Sequence, residues 1–309
     1  AIVVMSGLNH KELDINNLGI SSGTSQLNNA NTIKDDKNDK AITNIALFGV
    51  DQRKPNQPSR SDAIMILSVD KKHNKIKVSS VMRDTLVEMD GRDKDKITHA
   101  YYYGGAQLAV KTLNQNFNLN ISEYASVNFS QMAKIIDAVD GIQIDITEAE
   151  RKEINGTIID QSKDAGLSKV PLKASGLQKL NGSQAVAYAR IRYVGNGDFE
   201  RTDRQRKVMQ ELFNKALAMN PVKYPEFIRK MLPLVETSLD WGEIVSQAGI
   251  MLRDVKFEEA RFPMNDDLIG SGFTTAHGGS CVYADNEKIS KKLNEFIYDD
   301  IKPQAPTKK

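Results

Sequence analysis

Short apolar runs and amphipathic stretches alternate along most of the chain. Residues 43–50, 62–69 and 76–82 are apolar runs of the length of buried strands. A polar turn at residues 71–74 predicts that the second and third runs form a hairpin. Further strands are predicted at residues 123–129, 142–146 and 254–262.

Helices are predicted where apolar residues recur every three or four positions. They are expected at residues 96–117, 130–139, 184–189, 208–219, 224–235, 241–252 and 288–298. Ser130 is the candidate N-cap of the second of these helices. Residues 147–175 are predicted as loops with small hairpins, and the glycine-rich residues 265–279 as a loop. Strands mixed with helices predict an α/β fold, a layered α-β-α sandwich with a central mixed β-sheet.

Both ends of the chain lack the apolar residues that a packed core needs. Residues 1–41 are rich in Asn, Ser, Lys and Asp and are predicted to be a linker or a loosely docked arm. Residues 302–309 are predicted to be disordered. The folded domain is therefore expected to span residues 42–301.

Charge and motif content remove several classes of function. The net charge is only +2, so no global field recruits nucleic acid or anionic lipid, and anion binding must come from local clusters. Cys281 is the single cysteine, which excludes an internal disulfide and a cysteine-based metal site. His99 has no second His or Cys at metal-ligand spacing and is expected to be a packed or hydrogen-bonded histidine. No P-loop, Gly-x-Ser-x-Gly elbow or dinucleotide fingerprint occurs.

One stretch, residues 188–206, is unusually rich in arginine. It contains Arg190, Arg192, Arg201, Arg204 and Arg206. Arginine presents a planar fork that grips phosphate oxygens two at a time, and the glycine loop in this stretch leads into a predicted helix N-terminus. Arg190 and Arg192 would point to one side of an extended segment, and Arg201, Arg204 and Gln205 would share one helix face. The stretch is either a phosphate cradle or a solvated charged surface.

A second group of charged residues lies where predicted strands end or begin. Asp51 follows the first strand and Asp62 starts the second, so both carboxylates are expected at one sheet edge. Carboxylate oxygens suit Mg²⁺ or Mn²⁺. Arg60, Arg83 and Lys96 flank the same elements and are candidate phosphate contacts. The alternative is that these acids and cations form ordinary surface ion pairs and caps.

Seven short motifs follow one another along the chain. They are NIALFGVD at residues 44–51, SRSD at 59–62, MRDT at 82–85, KITHAYYYGG at 96–105, DAVDGI at 137–142, YARIR at 188–192 and GDFERTDRQ at 197–205. Each motif is weak by itself, but their order and spacing resemble the LytR-CpsA-Psr family of bacterial cell-wall glycopolymer ligases. The likeness covers residues 44–210 and continues more weakly to about residue 300.

The resemblance implies a single catalytic domain of this family at the extracytoplasmic face of the bacterial membrane. It implies a single-pass N-terminal anchor removed from this chain. The implied substrate is a glycopolymer on a polyprenyl-pyrophosphate carrier, transferred to a peptidoglycan hydroxyl with Mg²⁺ (or Mn²⁺), and nucleic acid is not an implied partner. Teichoic acid, capsule and other wall polysaccharides stay open as the polymer.

The resemblance also implies roles for individual residues. The implied catalytic residues are Asp62, Arg83 and Arg192, and the implied metal ligands are Asp51 and Asp62. The implied pyrophosphate contacts are Arg60, Arg83, Lys96, Arg190, Arg192, Arg201 and Gln205. The general base is left open between Asp62 and Asp84. Two other functions use the same groups: a polyprenyl-pyrophosphate phosphatase with water as acceptor, and a non-catalytic lipid-carrier binder or regulator.

Overall fold

The computed structural model describes residues 8–20, 41–52, 57–165, 167–195, 198–276 and 279–304. The strands are β1 (Asn9–His10), β2 (Ile42–Val50), β3 (Ser61–Asp70), β4 (Lys75–Val81), β5 (Leu86–Met89), β6 (Arg92–Lys96), β7 (Glu123–Asn128), β8 (Ile142–Ile146), β9 (Gly176–Leu180), β10 (Glu236–Thr237), β11 (Lys256–Phe262), β12 (Leu268–Ala276) and β13 (Gly279–Ala284). The helices are α1 (Ile97–Phe117), α2 (Phe129–Ala138), α3 (Glu148–Ala165), α4 (Gly182–Arg190), α5 (Asp198–Leu217), α6 (Tyr224–Met231), α7 (Trp241–Ala248) and α8 (Asn286–Tyr298).

A central sheet of seven strands has the order β1-β10-β7-β2-β3-β4-β11. It is mixed, because β3 and β4 run antiparallel whereas β11 runs parallel to β4. Smaller two-stranded sheets are β5-β6, β8-β9 and β12-β13. This arrangement confirms the predicted α/β class with a mixed sheet, and the β3-β4 pairing confirms the predicted hairpin.

The chain divides into two compact units. The first comprises the described parts of Ala1–Lys11, Gly49–Gln57 and Ser126–Thr237, and the second those of Glu12–Phe48, Pro58–Ala125 and Ser238–Lys309. The first unit carries α2 to α6, and the second carries α1, α7 and α8. Each unit has its own apolar core.

The core of the second unit lies around β3, β4, α1 and α8. Ile66, Leu113 and Phe117 are fully buried there, and burying a side chain of this size contributes roughly 1.5–3 kcal/mol. Helices α1 and α8 are joined where Asn294 Nδ2 donates to the Phe117 carbonyl at 2.8 Å. Leu18 is also buried, and its carbonyl accepts from Asn114 Nδ2 at 2.8 Å, so this part of the amino-terminal arm is docked.

Helix α1 contains a break near its middle. Gly104 has φ −143° and ψ 20°, and Gly105 has φ 60° and ψ −153°. The second conformation is accessible to glycine and strained for other residues. The two glycines therefore end one helical segment at Tyr103 and begin another.

In the first unit, the helices α2 to α5 pack around the antiparallel strand pair β8-β9. The buried core includes Ile136, Ile154, Ile158, Leu180 and Ile191. Capping boxes start two of the helices, with Asn128 capping α2 and Asn181 capping α4. The predicted N-cap Ser130 is therefore wrong by two residues, because Asn128 accepts from Gln131 N at 2.9 Å.

Two segments predicted as loops are regular elements. Residues 147–175 contain α3, and residues 265–279 contain β12. Helix α3 places Ile154 and Ile158 in the core, and Asn155 Nδ2 donates to the Leu172 carbonyl at 3.0 Å. Strand β12 is stabilised by antiparallel pairing with β13. Tertiary contacts supply the order that the local sequence does not signal.

Gly182→Ala is expected to destabilise the protein by about 1–3 kcal/mol. Gly182 opens α4 directly against α2, and a Cβ at this position would lie 1.9 Å from the Ala133 carbonyl oxygen. The helices would have to separate, which would weaken the bond from Gly182 N to Asp137 Oδ1 (2.7 Å). Urea unfolding measures the loss.

Gly156→Ala is the matched control for this change. Gly156 lies inside α3, and nothing lies within 4 Å of its hypothetical Cβ. Because Ala is the better helix former, this variant is expected to gain up to about 1 kcal/mol. Equal stability of the two variants would show that the α2-α4 approach is not tight.

Candidate functional site

Four charged side chains of alternating sign form a continuous row in the second unit: Asp62, Arg83, Asp84 and Lys96. Arg83 Nη1 donates to Asp62 Oδ1 at 2.6 Å, and Arg83 Nε lies 3.3 Å from Asp84 Oδ2. Lys96 Nζ lies 2.8 Å from Asp84 Oδ1. The four side chains are between 10 and 19% exposed. This set, called the charged row below, brings the predicted residues Asp62, Arg83 and Lys96 together.

The charged row is assembled from three separate points in the chain. Asp62 is the second residue of β3, Arg83 and Asp84 form the turn after β4, and Lys96 is the N-cap position of α1. Thr85 closes the turn, because its Oγ1 donates to the Met82 carbonyl at 2.7 Å. Arg60, another predicted phosphate contact, is exposed and precedes β3.

Backbone hydrogen bonds hold the first turn of α1 against this row. Ile97 N donates to the Thr85 carbonyl at 2.9 Å, and Thr98 N donates to the Arg83 carbonyl at 3.0 Å. Thr98 Oγ1 also donates to the Ser61 carbonyl at 2.8 Å. These bonds fix the main chain on both sides of Lys96 and Arg83, so the charged row sits on a rigid frame.

A second polar cluster lies next to the charged row and is formed by residues of β6 and α1. Buried Asp95 accepts from the Lys96 backbone N at 2.7 Å, and its other oxygen lies 2.8 Å from His99 Nδ1. Tyr103 OH donates to Asp95 at 3.3 Å, and the Arg92 guanidinium lies 4.0 Å from the centre of the Tyr103 ring. His99 is thus hydrogen-bonded, as predicted.

Cys281 lies near this region and is fully buried. Burial raises the pKa of its thiol above the ordinary value, and the nearby Lys96 opposes this only in part. A buried thiol with a raised pKa is a weak nucleophile. The structure gives Cys281 a packing role.

The arginine-rich stretch belongs to the first unit and is only partly as predicted. Arg190 is the last residue of α4, and its guanidinium carbon lies 4.4 Å from the centre of the Phe129 ring. The predicted extended segment is therefore wrong for Arg190, because the helix continues through it. Arg192 follows the helix and is exposed.

Helix α5 carries Arg201, Arg204 and Gln205, as predicted. Arg204 is a structural residue, however, because its Nε donates to Glu150 Oε1 at 2.9 Å and its Nη2 donates to the Val194 carbonyl at 2.9 Å. Burial opposes ionisation of Glu150, but hydrogen bonds from Thr147 and Arg204 outweigh it and hold the pKa of Glu150 below its ordinary value.

The remaining polar residues of α5 differ in exposure. Arg201 is 3% exposed, and Gln205 is half-buried. Arg206 Nη2 donates to Asp203 Oδ1 at 2.7 Å, three residues earlier on the helix. Arg206 therefore has an acidic neighbour on its own helix.

The predicted metal ligands have the right chemistry for a hard cation. Asp62 is a half-buried carboxylate at the start of β3, and Asp51 is a half-buried carboxylate directly after β2. Carboxylate oxygens of this kind are the ligands that Mg²⁺ takes in proteins. That the two carboxylates meet at one sheet edge stays a prediction.

Among the described residues, a different group of metal-ligating type is close together: Asp70, His73 and Asp300. The sequence did not single it out. The ammonium of Lys77 already lies 2.8 Å from Asp70 Oδ2 and 3.0 Å from Asp300 Oδ1. Lys75 Nζ lies 2.8 Å from Asp300 Oδ2 as well, so two cations already pair with these acids, and the group is a partly buried ion-pair cluster.

The mixed sheet defines an α/β protein, and the charged row is its candidate functional site. The chain belongs to the LytR-CpsA-Psr family, which it matches over residues 12–295. It is 29% identical to the polyisoprenyl-teichoic acid–peptidoglycan teichoic acid transferase TagU of Enterococcus faecalis over 276 residues, covering 88% of this chain and 82% of that one. It is 36% identical to the regulatory protein MsrR of Staphylococcus aureus over 273 residues, covering 85% and 76%.

Solved structures share the fold. A structure of TagT bound to LI-WTA superposes with a TM-score of 0.69 at 21% identity, covering 93% of this chain and 99% of that one. TagT with bound octaprenyl pyrophosphate lipid gives a TM-score of 0.64 at 20% identity, covering 93% and 99%.

Over the described residues, no helix is both long and apolar enough to cross a bilayer.

Proposed function

We propose that this protein is a phosphotransferase that moves a glycopolymer from a polyprenyl-pyrophosphate carrier to a hydroxyl of peptidoglycan. The observation that carries the proposal is the charged row, in which Arg83 and Lys96 are held beside acids in a member of this family. Relatives named as teichoic acid transferases favour teichoic acid as the polymer. The proposed place of action is the extracytoplasmic face of the bacterial membrane, with a single-pass anchor outside the sequence.

In the proposed reaction, the acceptor oxygen attacks the phosphorus that carries the sugar. A new phosphorus–oxygen bond forms, and the acceptor hydroxyl releases its proton to solvent. The bond to the prenyl phosphate breaks, and the prenyl phosphate leaves with its electron pair. Negative charge on the transferred and leaving groups must be neutralised throughout. Arg83 and Lys96 supply positive charge for this purpose from the frame described above.

The residue roles follow the family motifs. Pyrophosphate contacts are proposed for Arg60, Arg83, Lys96, Arg190, Arg192, Arg201 and Gln205. Arg83 and Arg192 are both proposed as catalytic residues. Asp51 and Asp62 are proposed to hold Mg²⁺ (or Mn²⁺). When bound, the ion would neutralise phosphate charge.

A reconstituted transfer assay tests the proposal. The protein is incubated with Mg²⁺, a lipid-linked teichoic acid precursor and peptidoglycan, and the expected result is polymer covalently attached to the glycan. Released phosphate without attached polymer would instead identify a phosphatase. Retained lipid without turnover would identify a binder or regulator, the class suggested by the name of the MsrR relative.

A further inference from the structure

Asp84 occupies the middle of the charged row, between two cations. Its Oδ1 lies 2.8 Å from Lys96 Nζ, and its Oδ2 lies 3.3 Å from Arg83 Nε. The residue is 7% exposed. Both carboxylate oxygens therefore lie next to positively charged groups.

The backbone of Asp84 is fixed as firmly as its side chain. Its carbonyl accepts from Val282 N at 2.8 Å, and the next residue, Thr85, forms a β-bridge with Val282. Lys96 is confined from another direction, because its Cε lies 3.5 Å from where a Cβ on Gly279 would be. The carboxylate thus has a set position beside the lysine ammonium.

We propose that Asp84 is a positioning residue that aims the Arg83 guanidinium and the Lys96 ammonium at one anionic group of the substrate. The proposal rests on the phosphotransferase function proposed above. Two cations that share one carboxylate are held near each other despite their mutual repulsion. Without the carboxylate, the flexible lysine would turn away, and the guanidinium would lose one of the partners that set its plane.

This role differs from that of a general base, which the sequence left open for Asp84. A base must reach the acceptor hydroxyl with a lone pair. Asp84 instead directs its oxygens at two cations. The pH dependence of the transfer rate distinguishes the two roles. Removing a general base abolishes the increase of the rate with pH on the acidic side of the profile, whereas removing a positioning residue does not.

The experiment compares Asp84→Asn, Asp84→Glu and Asp90→Asn in the complete chain. Asp90 is the matched control, an exposed acid whose Oδ2 accepts from Lys111 Nζ at 2.6 Å. Single-turnover transfer is measured across pH, and binding is measured with farnesyl pyrophosphate as the probe. Asp84→Asn is expected to lower transfer roughly 10- to 100-fold, because small misplacements of catalytic groups have effects of this size.

Binding is expected to respond in the opposite direction. Asp84→Asn removes a negative charge beside the anion, so farnesyl pyrophosphate should bind as tightly as to the wild type or more tightly. The acidic side of the pH–rate profile should keep its shape. Asp84→Glu keeps the charge but displaces it, and its transfer rate should lie between those of Asp84→Asn and the wild type. Asp90→Asn should match the wild type throughout.

Several results would overturn the positioning role. They are wild-type transfer by Asp84→Asn, a parallel loss of binding and transfer, or loss of the acidic dependence, which would make Asp84 the base. If Asp84→Asn does not fold, transfer by Asp84→Glu decides, since a wild-type rate contradicts the proposal and a lowered rate with intact binding supports it.

A spectroscopic measurement keeps this inference separate from the proposed function. If the wild type and Asp90→Asn attach no polymer, the phosphotransferase proposal fails. The ³¹P resonances of bound farnesyl pyrophosphate then decide the role of Asp84. A change in the Asp84 variants but not in Asp90→Asn supports positioning of the two cations, and identical spectra in all variants contradict it.

Discussion

Arg83→Ala is expected to lower polymer transfer roughly 10²- to 10³-fold, the usual effect of removing one donor that stabilises charge in the transition state. Arg83 bonds Asp62 through Nη1 and faces Asp84 through Nε, so its loss breaks the charged row at its centre. Single-turnover transfer of a lipid-linked polymer measures the effect. Urea unfolding should show that the variant still folds, because the row lies at the edge of β3 and not in the apolar core.

Two further variants separate the charge of Arg83 from its shape. Arg83→Lys keeps the charge but loses the planar fork, and its rate should fall between those of the wild type and Arg83→Ala. Arg253→Ala is the control, because Arg253 is exposed and donates through Nη1 to a surface side chain, Asn74 Oδ1, at 3.2 Å.

Arg192→Ala extends the test to the first unit. Arg192 is exposed after α4, so its loss should leave the fold unchanged while transfer falls. Wild-type transfer by both Arg83→Ala and Arg192→Ala would contradict the proposed phosphotransferase.

Asp70→Asn is expected to destabilise the protein by about 3–5 kcal/mol, the cost of breaking a buried ion pair from one side. The side chains of Asp70 and Lys77 are both 0% exposed, and Lys77 Nζ lies 2.8 Å from Asp70 Oδ2. Lys77 would keep its bonds to Asp300 and to the Ile297 carbonyl but lose its buried counter-ion. Urea unfolding at neutral pH measures the change, and Asp90→Asn should unfold nearly as the wild type does.

The ion pair of Asp70 and Lys77 also makes the stability of the protein depend on pH. Burial opposes ionisation of Asp70, but hydrogen bonds from Lys77 and His73 outweigh it and lower the pKa of Asp70 below its ordinary 3.8. Because the folded pKa lies below the unfolded one, the stabilisation is present above the unfolded pKa and is lost as pH falls through the folded value. Asp70→Asn should therefore flatten the acid side of the stability curve, and an unchanged acid slope would contradict this account.

The local sequence pattern predicted the strands and helices whose own residues show the hydrophobic periodicity of that element. The apolar runs of β2, β3 and β4 and the three- and four-residue period of α1 are properties of neighbouring residues, and each element lies where predicted. Helix α3 and strand β12 were missed because α3 has few apolar positions and β12 is rich in Gly, Ser and Thr. Asn128 followed three residues later by Gln131 was a readable capping-box signal that Ser130 obscured.

The candidate site, like the fold, was predicted only in part. The order of the motifs identified Asp62, Arg83 and Lys96. In the structure Arg83 bonds Asp62, and Asp84 lies between Arg83 and Lys96. Sequence could not tell that Arg204 is structural, since its partner Glu150 lies 54 residues away. Lys77 likewise looks like an ordinary strand lysine, and only the fold places it beside Asp70 and Asp300.

The break in α1 has a consequence for how the charged row can be observed. Residues 97–103, before Gly104, form a segment shorter than the roughly 12–15 residues that an isolated helix needs to persist in water. Its shape depends on Thr98 and on the His99–Asp95 contact. When those contacts open, the amide protons of this segment exchange with solvent, while those near Leu113 stay protected by the core. Hydrogen exchange in this short segment therefore reports the integrity of the charged row without any substrate.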